Sequence, residues 1–370
     1  MRILFVTPLH YPEQLAAARA ATPPGQPSPL FPPNMAQHFW ERALRAQGHE
    51  VHAFYRSQGA LPLMERLGRT RLVRGISQRL PGLNPDYRLR NARLLALARR
   101  LRPDVLFLTG DNEVIYPSTL AHIKAETGAT LVYFCGTSPI VFSHANERAA
   151  ARLYDLVLAN DFYHGIQWQE LGAPRMVCLP GSAVDPAFHH PYDLTEAERR
   201  ACACDVTFVG TLYPDALYGQ RVRALEALRD FELGIWSVHP VPPSLRPYVR
   251  GSALGQQMLR VLSGATIALN VHGDFMRYGG NMRLFEIAGV GAFQIVDDLP
   301  GVREWFTPGE HLVTYADLDD LREKVAHYLA HPEERARIAA AGRAHVIARH
   351  TYDVRVRQVV EMVSGIRASG

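Results

Sequence analysis

ALNVHGDFMRYGGNMRLFEIAGVGA, residues 268–292, carries the clearest mark of fold in this chain. The apolar run over 265–270 predicts a strand, and a polar loop with Gly279-Gly280 follows it. A helix is expected to open at about Asn281, with Arg283 and Glu286 one turn apart. In this order, strand, glycine loop, helix start, base and acid let an α/β protein hold a phosphate and a sugar hydroxyl together. The glycines allow backbone amides to approach an anion with no β-carbon in the way. The helix start adds free N–H groups and the positive end of the dipole. Gly280, Asn281, Met282 and Arg283 therefore form a candidate diphosphate site, with Arg283 supplying a charge-assisted hydrogen bond. Glu286 lies on the same helix face. A carboxylate repels phosphate, so Glu286 is expected to aim elsewhere, at a vicinal diol such as a ribose. Its other reading is an ion pair with Arg283 on the helix surface. Asn270 and His272 follow the strand at its carboxyl end, where α/β sheets bind ligands.

Outward from this stretch, short apolar runs alternate with helix-length segments. Strands are expected at 3–6, 51–55, 105–108, 130–134, 156–159 and 176–179, with helices such as 35–47, 118–127 and 163–171 between them. A second series follows at 206–209, 233–236, 266–269, 293–296 and 311–314. The alternation predicts an α/β protein with parallel sheets covered on both faces. The break in the proline- and histidine-rich stretch 180–191 predicts two domains, 1–185 and 186–352. Amphipathic helices are expected at 317–330 and 332–349, and a last one at 354–366. The second domain's first strand ends Phe208-Val209-Gly210-Thr211. Gly210 admits a close ligand, and Arg221 on the following helix is either a diphosphate clamp or a surface arginine. In the first domain, His10 and Asp111 stand after strands and are candidates to orient an acceptor hydroxyl, or else turn and cap residues.

Two segments are irregular. Residues 22–33 hold six prolines and are expected as an extended loop, either a substrate gate or plain surface. Residues 64–102 carry eleven arginines. They read as a solvated helical face, interrupted at Pro81 and Pro85, or as an electropositive face for anionic lipid or a phosphorylated acceptor.

Composition narrows the function classes. A net charge of +4 is too mild to indicate nucleic acid, and 47% hydrophobic with 21% charged residues is globular. Cys135, Cys178, Cys202 and Cys204 include no zinc-ligand spacing and read as reduced thiols. The N-terminal MRILFVTP has too short an apolar core for a signal peptide, and no apolar run reaches membrane-spanning length. A cytoplasmic protein is expected, with residues 64–102 as its one candidate for peripheral membrane contact. No G-x-G-x-x-G follows the first strand, and no Walker A or G-x-S-x-G occurs. The single D-x-D, Asp317-Leu-Asp319, sits where a helix cap belongs. A metal-dependent sugar-transfer site on that motif is disfavoured, and no metal or cofactor is expected.

The second half resembles GT-B glycosyltransferases of the retaining, family-4-like type, closest to their CgeB-like branch. The matching motifs are, in order, N-V-H from Asn270, N-M-R-L-F-E-I-A-G-V-G-A-F, P-G-V-R-E-W-F, Y-L-A-H-P-E-E-R-A-R-I-A-A-A-G and H-T-Y. CDVTFVGTLYP with Arg221 fits the start of the domain, and RPDVLFLTG and LPGSAVDPAFHHP agree more loosely in the first half. The resemblance implies two Rossmann-like domains facing a central cleft, and a last helix, 353–370, packed back on the first domain. It implies a nucleotide-sugar donor, most simply a UDP-sugar, held by Gly210, Thr211, Arg221, Asn270, His272, 280–283 and Glu286. The acceptor would lie on the first domain. It further implies transfer to a hydroxyl with retention and without a metal. Glu286 matches the second acid of the family's E-x7-E pattern, and Tyr278 stands where the first acid belongs. Cys135-Gly136-Thr137 stands where a first-domain histidine often occurs. The rival readings are an epimerase or hydrolase on the same scaffold, and a non-catalytic nucleotide-sugar or lipid-surface binding protein.

Overall fold

The computed structural model describes residues 1–8, 35–56, 81–110, 112–142 and 144–369. The chain divides into two compact units, 1–181 with 355–370, and 182–354. In the first unit the order is β1 (Arg2–Thr7), α1 (Met35–Ala46), β2 (Glu50–Tyr55), α2 (Pro85–Leu101), β3 (Val105–Thr109), α3 (Pro117–Thr127), β4 (Thr130–Cys135), α4 (Ala145–Ala149), β5 (Leu156–Ala159), α5 (Phe162–Glu170) and β6 (Met176–Cys178). All pairings are parallel, in the order β2-β1-β3-β4-β5-β6. The central strands are apolar without alternation because helices cover both faces; all of Val105–Thr109 is buried.

The second unit runs α6 (Glu196–Cys202), β7 (Val206–Val209), α7 (Asp215–Ala227), β8 (Leu233–Trp236), β9 (Val249–Gly251), α8 (Gly255–Ser263), β10 (Ile267–Asn270), α9 (Met282–Gly289), β11 (Gln294–Asp297), α10 (Pro300–Trp305), β12 (Val313–Tyr315), α11 (Leu318–Ala330) and α12 (Pro332–Arg349). Its sheet is parallel throughout, β12-β11-β10-β7-β8-β9. The chain lays β8 and β9 to one side of β7, then β10 to β12 to the other. The order reverses between β7 and β10, and a crevice forms at the carboxyl ends of such strands.

A last helix, α13 (Tyr352–Ser369), begins in the second unit, while residues from Arg355 onward cluster with the first. Arg355 is buried and its Nε donates to the Pro180 carbonyl at 2.9 Å. Val356, Val359 and Val363 form the buried stripe of this helix.

The structure corrects several expectations. Pro85 does not interrupt a helix; it starts α2, capped by the Asn84 side chain, because an N-terminal proline gives up no helical hydrogen bond. Leu94 and Ala98 of α2 are buried while Arg93, Arg99 and Arg100 are exposed, so residues 85–101 are a helix with a solvated arginine face. β9, too short to show a pattern, has no counterpart among the expected strands. His10, Asp111, the loop 22–33 and residues 64–80 lie outside the described residues. Among the described residues no helix is long and apolar enough to cross a membrane. The four cysteines are free thiols.

Helix α12 packs against the 307–312 turn through Gly342. A β-carbon there would lie 2.2 Å from the His311 carbonyl oxygen, which is backbone and has no rotamer to yield. Gly342→Ala is expected to destabilise the protein by about 3 kcal/mol, the upper end of overpacking penalties. Urea unfolding checks it, and an unchanged midpoint would refute the close packing.

Candidate functional site

The reversal between β7 and β10 gathers Gly210, Thr211, Asn270 and His272 at one sheet edge, with the 271–281 loop above and α9 leading away. Three sets of contacts hold this edge together.

The first is an amide chain that sets the start of α9. Asn281 is its N-cap, and Oδ1 accepts from the Leu284 N–H at 2.9 Å. The Asn281 amide exchanges hydrogen bonds with Asn270 (2.8 and 3.2 Å), and Asn270 Nδ2 also donates to Gln294 Oε1 at 3.0 Å. Gln294 Nε2 closes the chain on the Leu284 carbonyl at 3.2 Å. Asn270 is 2% exposed. In this structure its amide is engaged by its neighbours and positions the helix start: Gln294 of β11 is in register with Ala268, two residues before Asn270 and on the same sheet face, so the two amides meet diagonally.

The second set fixes the glycine loop. His272 is 1% exposed, and Nδ1 and its backbone N–H meet Asp297 Oδ1 at 2.8 and 3.0 Å. The Gly280 N–H donates to His272 Nε2 at 3.2 Å. The expectation of a Gly280 amide open to an anion is therefore corrected: in this structure the imidazole occupies it. Gly279 and Gly280 have φ of 116° and 101°, a region that excludes side chains. Tyr278 anchors the loop from behind. Its carbonyl accepts from the Gly301 N–H at 2.7 Å and its hydroxyl donates to Glu304.

The third set carries the charge. Helix α7 kinks at Tyr218, whose φ is −137°. Asp274 caps the part beyond the kink, with Oδ2 and Oδ1 accepting from the Gly219 and Gln220 N–H groups at 3.1 and 3.0 Å. That cap orients Arg221. Its Nε donates to the Val271 carbonyl at 2.7 Å, its Nη1 to the Thr211 carbonyl at 3.0 Å, and its guanidinium stacks on Tyr218. Arg221 has no ion-pair partner among the described residues. Burial holds its guanidinium down to about 10, and the nearby charge of Arg283 pushes the same way against the pull of Tyr218, Asp297 and Asp274. It remains charged at neutral pH, so the site holds an uncompensated cation beside a second one. Of the two readings of Arg221, its burial sets aside the plain surface residue.

Arg283 Nε donates to the Val209 carbonyl at 3.2 Å, and Nη1 is paired with Glu286. The ion pair with Arg283, the second of the two readings of Glu286, is present, since opposite charges three residues apart on a helix meet readily. The pair is not on the surface, however: Glu286 is 8% exposed. Met282, at the first helical position, is half exposed at the rim. Gly210 donates to the Trp236 carbonyl at 3.1 Å, and a β-carbon there would press on the Phe208 ring at 2.9 Å.

Residues 220–361 match a family described as "Glycosyl transferase-like". Spore protein CgeB of Bacillus subtilis is 33% identical over 109 residues, 26% of this chain; the match spans 33% of that protein's length. Solved structures similar over nearly the whole chain include the following two. Anabaena HepE in complex with UDP-glucose has a TM-score of 0.62 at 15% identity, with 99% of this chain and 100% of that one covered. Sucrose-phosphate synthase from Thermosynechococcus elongatus has a TM-score of 0.65 at 14% identity, with both chains covered in full. The chain has the GT-B glycosyltransferase fold.

The glycosyl transferase-like match begins beside Arg221 and takes in every second-unit candidate of the GT-B chain except Gly210 and Thr211. Sequence reasoning missed Asp274 and Asp297. The Asp297-Asp298 pair at the end of an apolar run was a visible signal for the latter. Asp317 of the D-x-D accepts from the Asp320 N–H at 2.9 Å and caps α11. Among the described residues no group of three or more His, Cys, Asp or Glu side chains is placed to hold a metal.

Proposed function

We propose that this GT-B protein transfers a sugar from a nucleoside diphosphate to an acceptor hydroxyl, with the donor on the second unit and the acceptor on the first. The observation that carries the reading is Arg221. A guanidinium partly buried, braced by two carbonyls, lacking an ion pair and facing a second arginine is suited to a diphosphate, whose charge would satisfy both cations. Arg221 and Arg283 would stabilise the departing diphosphate without proton transfer. Glu286 would take the ribose diol while keeping its bond to Arg283. HepE is seen with UDP and with UDP-glucose, which supports a UDP-sugar as the donor. His10 and Asp111 are proposed to orient the acceptor hydroxyl.

Retention of configuration and independence from metal belong to the same proposal and rest on the family-4-like motifs. The experiment is a thermal-shift screen of nucleoside diphosphates and nucleotide sugars, since native-state ligands raise the melting temperature by mass action. UDP and UDP-glucose are expected to do so, and silence across the panel would remove the donor site. With a donor and acceptor in hand, turnover is expected to survive EDTA, with the anomeric configuration retained by NMR. Strict dependence on manganese, or an inverted product, would remove those two parts of the reading.

A further inference from the structure

We infer that His272 takes up a proton when the nucleoside diphosphate binds, changing from acceptor of the Gly280 N–H to an imidazolium that donates to a phosphate oxygen. This deepens the donor-site reading above and rests on it.

The free protein defines the starting state. Because the Gly280 N–H donates to Nε2, that nitrogen carries no proton. The ring proton is then on Nδ1 and is donated to Asp297 Oδ1. Oδ1 also accepts the His272 backbone N–H, so it is well satisfied. The other oxygen is not. Asp297 is 8% exposed, and its Oδ2 is buried with no hydrogen-bond partner among the described residues. A carboxylate taken out of water with half its acceptor capacity unmet is unfavourable, and such groups call for an explanation. Positive charge on the adjacent imidazole would relieve it. In the free protein that relief is blocked, because a proton on Nε2 would confront the Gly280 N–H, donor against donor.

An anion removes the conflict. A phosphate oxygen can accept from Nε2–H and from the released Gly280 N–H together, so one proton provides two donors to the ligand. The surrounding charges agree with such a switch. Asp297 on β11 and Asp274 on the loop are the acids here, and Arg221 on α7 lies within electrostatic reach of both. Arg283 on α9 is the second cation and is paired with Glu286. Tyr315 on β12 stays neutral, its phenol pushed up by burial and then by Asp297. A diphosphate bound here would bring negative charge to the two arginines and an acceptor to Nε2. In the step, Nε2 gains one proton from solvent, Nδ1 keeps its own, and the diphosphate loses no atom.

The test is calorimetry of UDP binding to the full chain at about pH 8, where the free nucleotide's terminal phosphate, with a second pKa near 6, is already ionised. Buffers of different ionisation enthalpy report the protons exchanged. Wild type is expected to take up about one proton per UDP, and His272→Gln to bind with none. Binding by wild type without uptake overturns the inference, as does uptake that persists in His272→Gln. Asp297→Asn is expected to abolish uptake too. If it does not fold, ¹⁵N-histidine spectra of wild type serve instead: His272 as the Nδ1–H tautomer when free and protonated on both nitrogens with UDP. An unchanged tautomer overturns the proposal. Failure of wild type to bind UDP or UDP-glucose would bring down the donor-site reading and this inference with it. Undiminished binding by Arg221→Ala, with uptake intact, would remove only the role of Arg221.

Discussion

Arg221→Ala is expected to weaken UDP binding by about 100-fold, or about 2.7 kcal/mol, within the range for hydrogen bonds to charged groups. Its loss leaves the diphosphate facing Arg283, which Glu286 already holds. Uridine, which lacks the phosphates, should bind the variant as it binds wild type. An equal loss for uridine would show that the substitution disturbs the site as a whole. Arg221→Lys is expected to recover little. Its point charge cannot donate in a fork to the Val271 and Thr211 carbonyls and still reach a ligand.

The second large effect is at Glu286. Glu286→Ala strands the Arg283 guanidinium, whose side chain is only 22% exposed, and removing one member of a largely buried pair costs about 3 kcal/mol of stability. The same carboxylate is the proposed ribose acceptor, so UDP affinity should fall as well. Two comparisons separate the effects. Glu286→Gln keeps a hydrogen-bond acceptor for Arg283 and should restore much of the melting temperature. Wild type should prefer UDP to 2′-deoxy-UDP, and both variants should lose most of that preference. A preference that survives in Glu286→Ala would assign the diol to another group.

The alternation of apolar runs with helices was readable because each strand is buried on both faces and each helix has a local period. The start of α9 was readable because Asn281 caps it within the same few residues. What the sequence hid was who meets whom across strands. Gly280 looked open, but His272, eight residues away, occupies its amide. Asn270 also meets Gln294, a diagonal contact across β10 and β11 that depends on which strands are neighbours. Asp274 caps a helix some fifty residues earlier in the chain, a contact that no local pattern encodes. Pro85 was legible in kind but ambiguous in sense, since proline both breaks helices and begins them.

The last helix has a consequence for biosynthesis. The first unit needs residues from Arg355 onward, with Arg355 on the Pro180 carbonyl and Arg367 on Asp104. Residues 182–354 are uninterrupted, so the second unit is complete as soon as they leave the ribosome. The first unit, though translated earlier, must wait for α13 to bring its valine stripe into place. The amino-terminal unit therefore finishes folding after the second unit, and in the interval its exposed edge is the part a chaperone would have to shield.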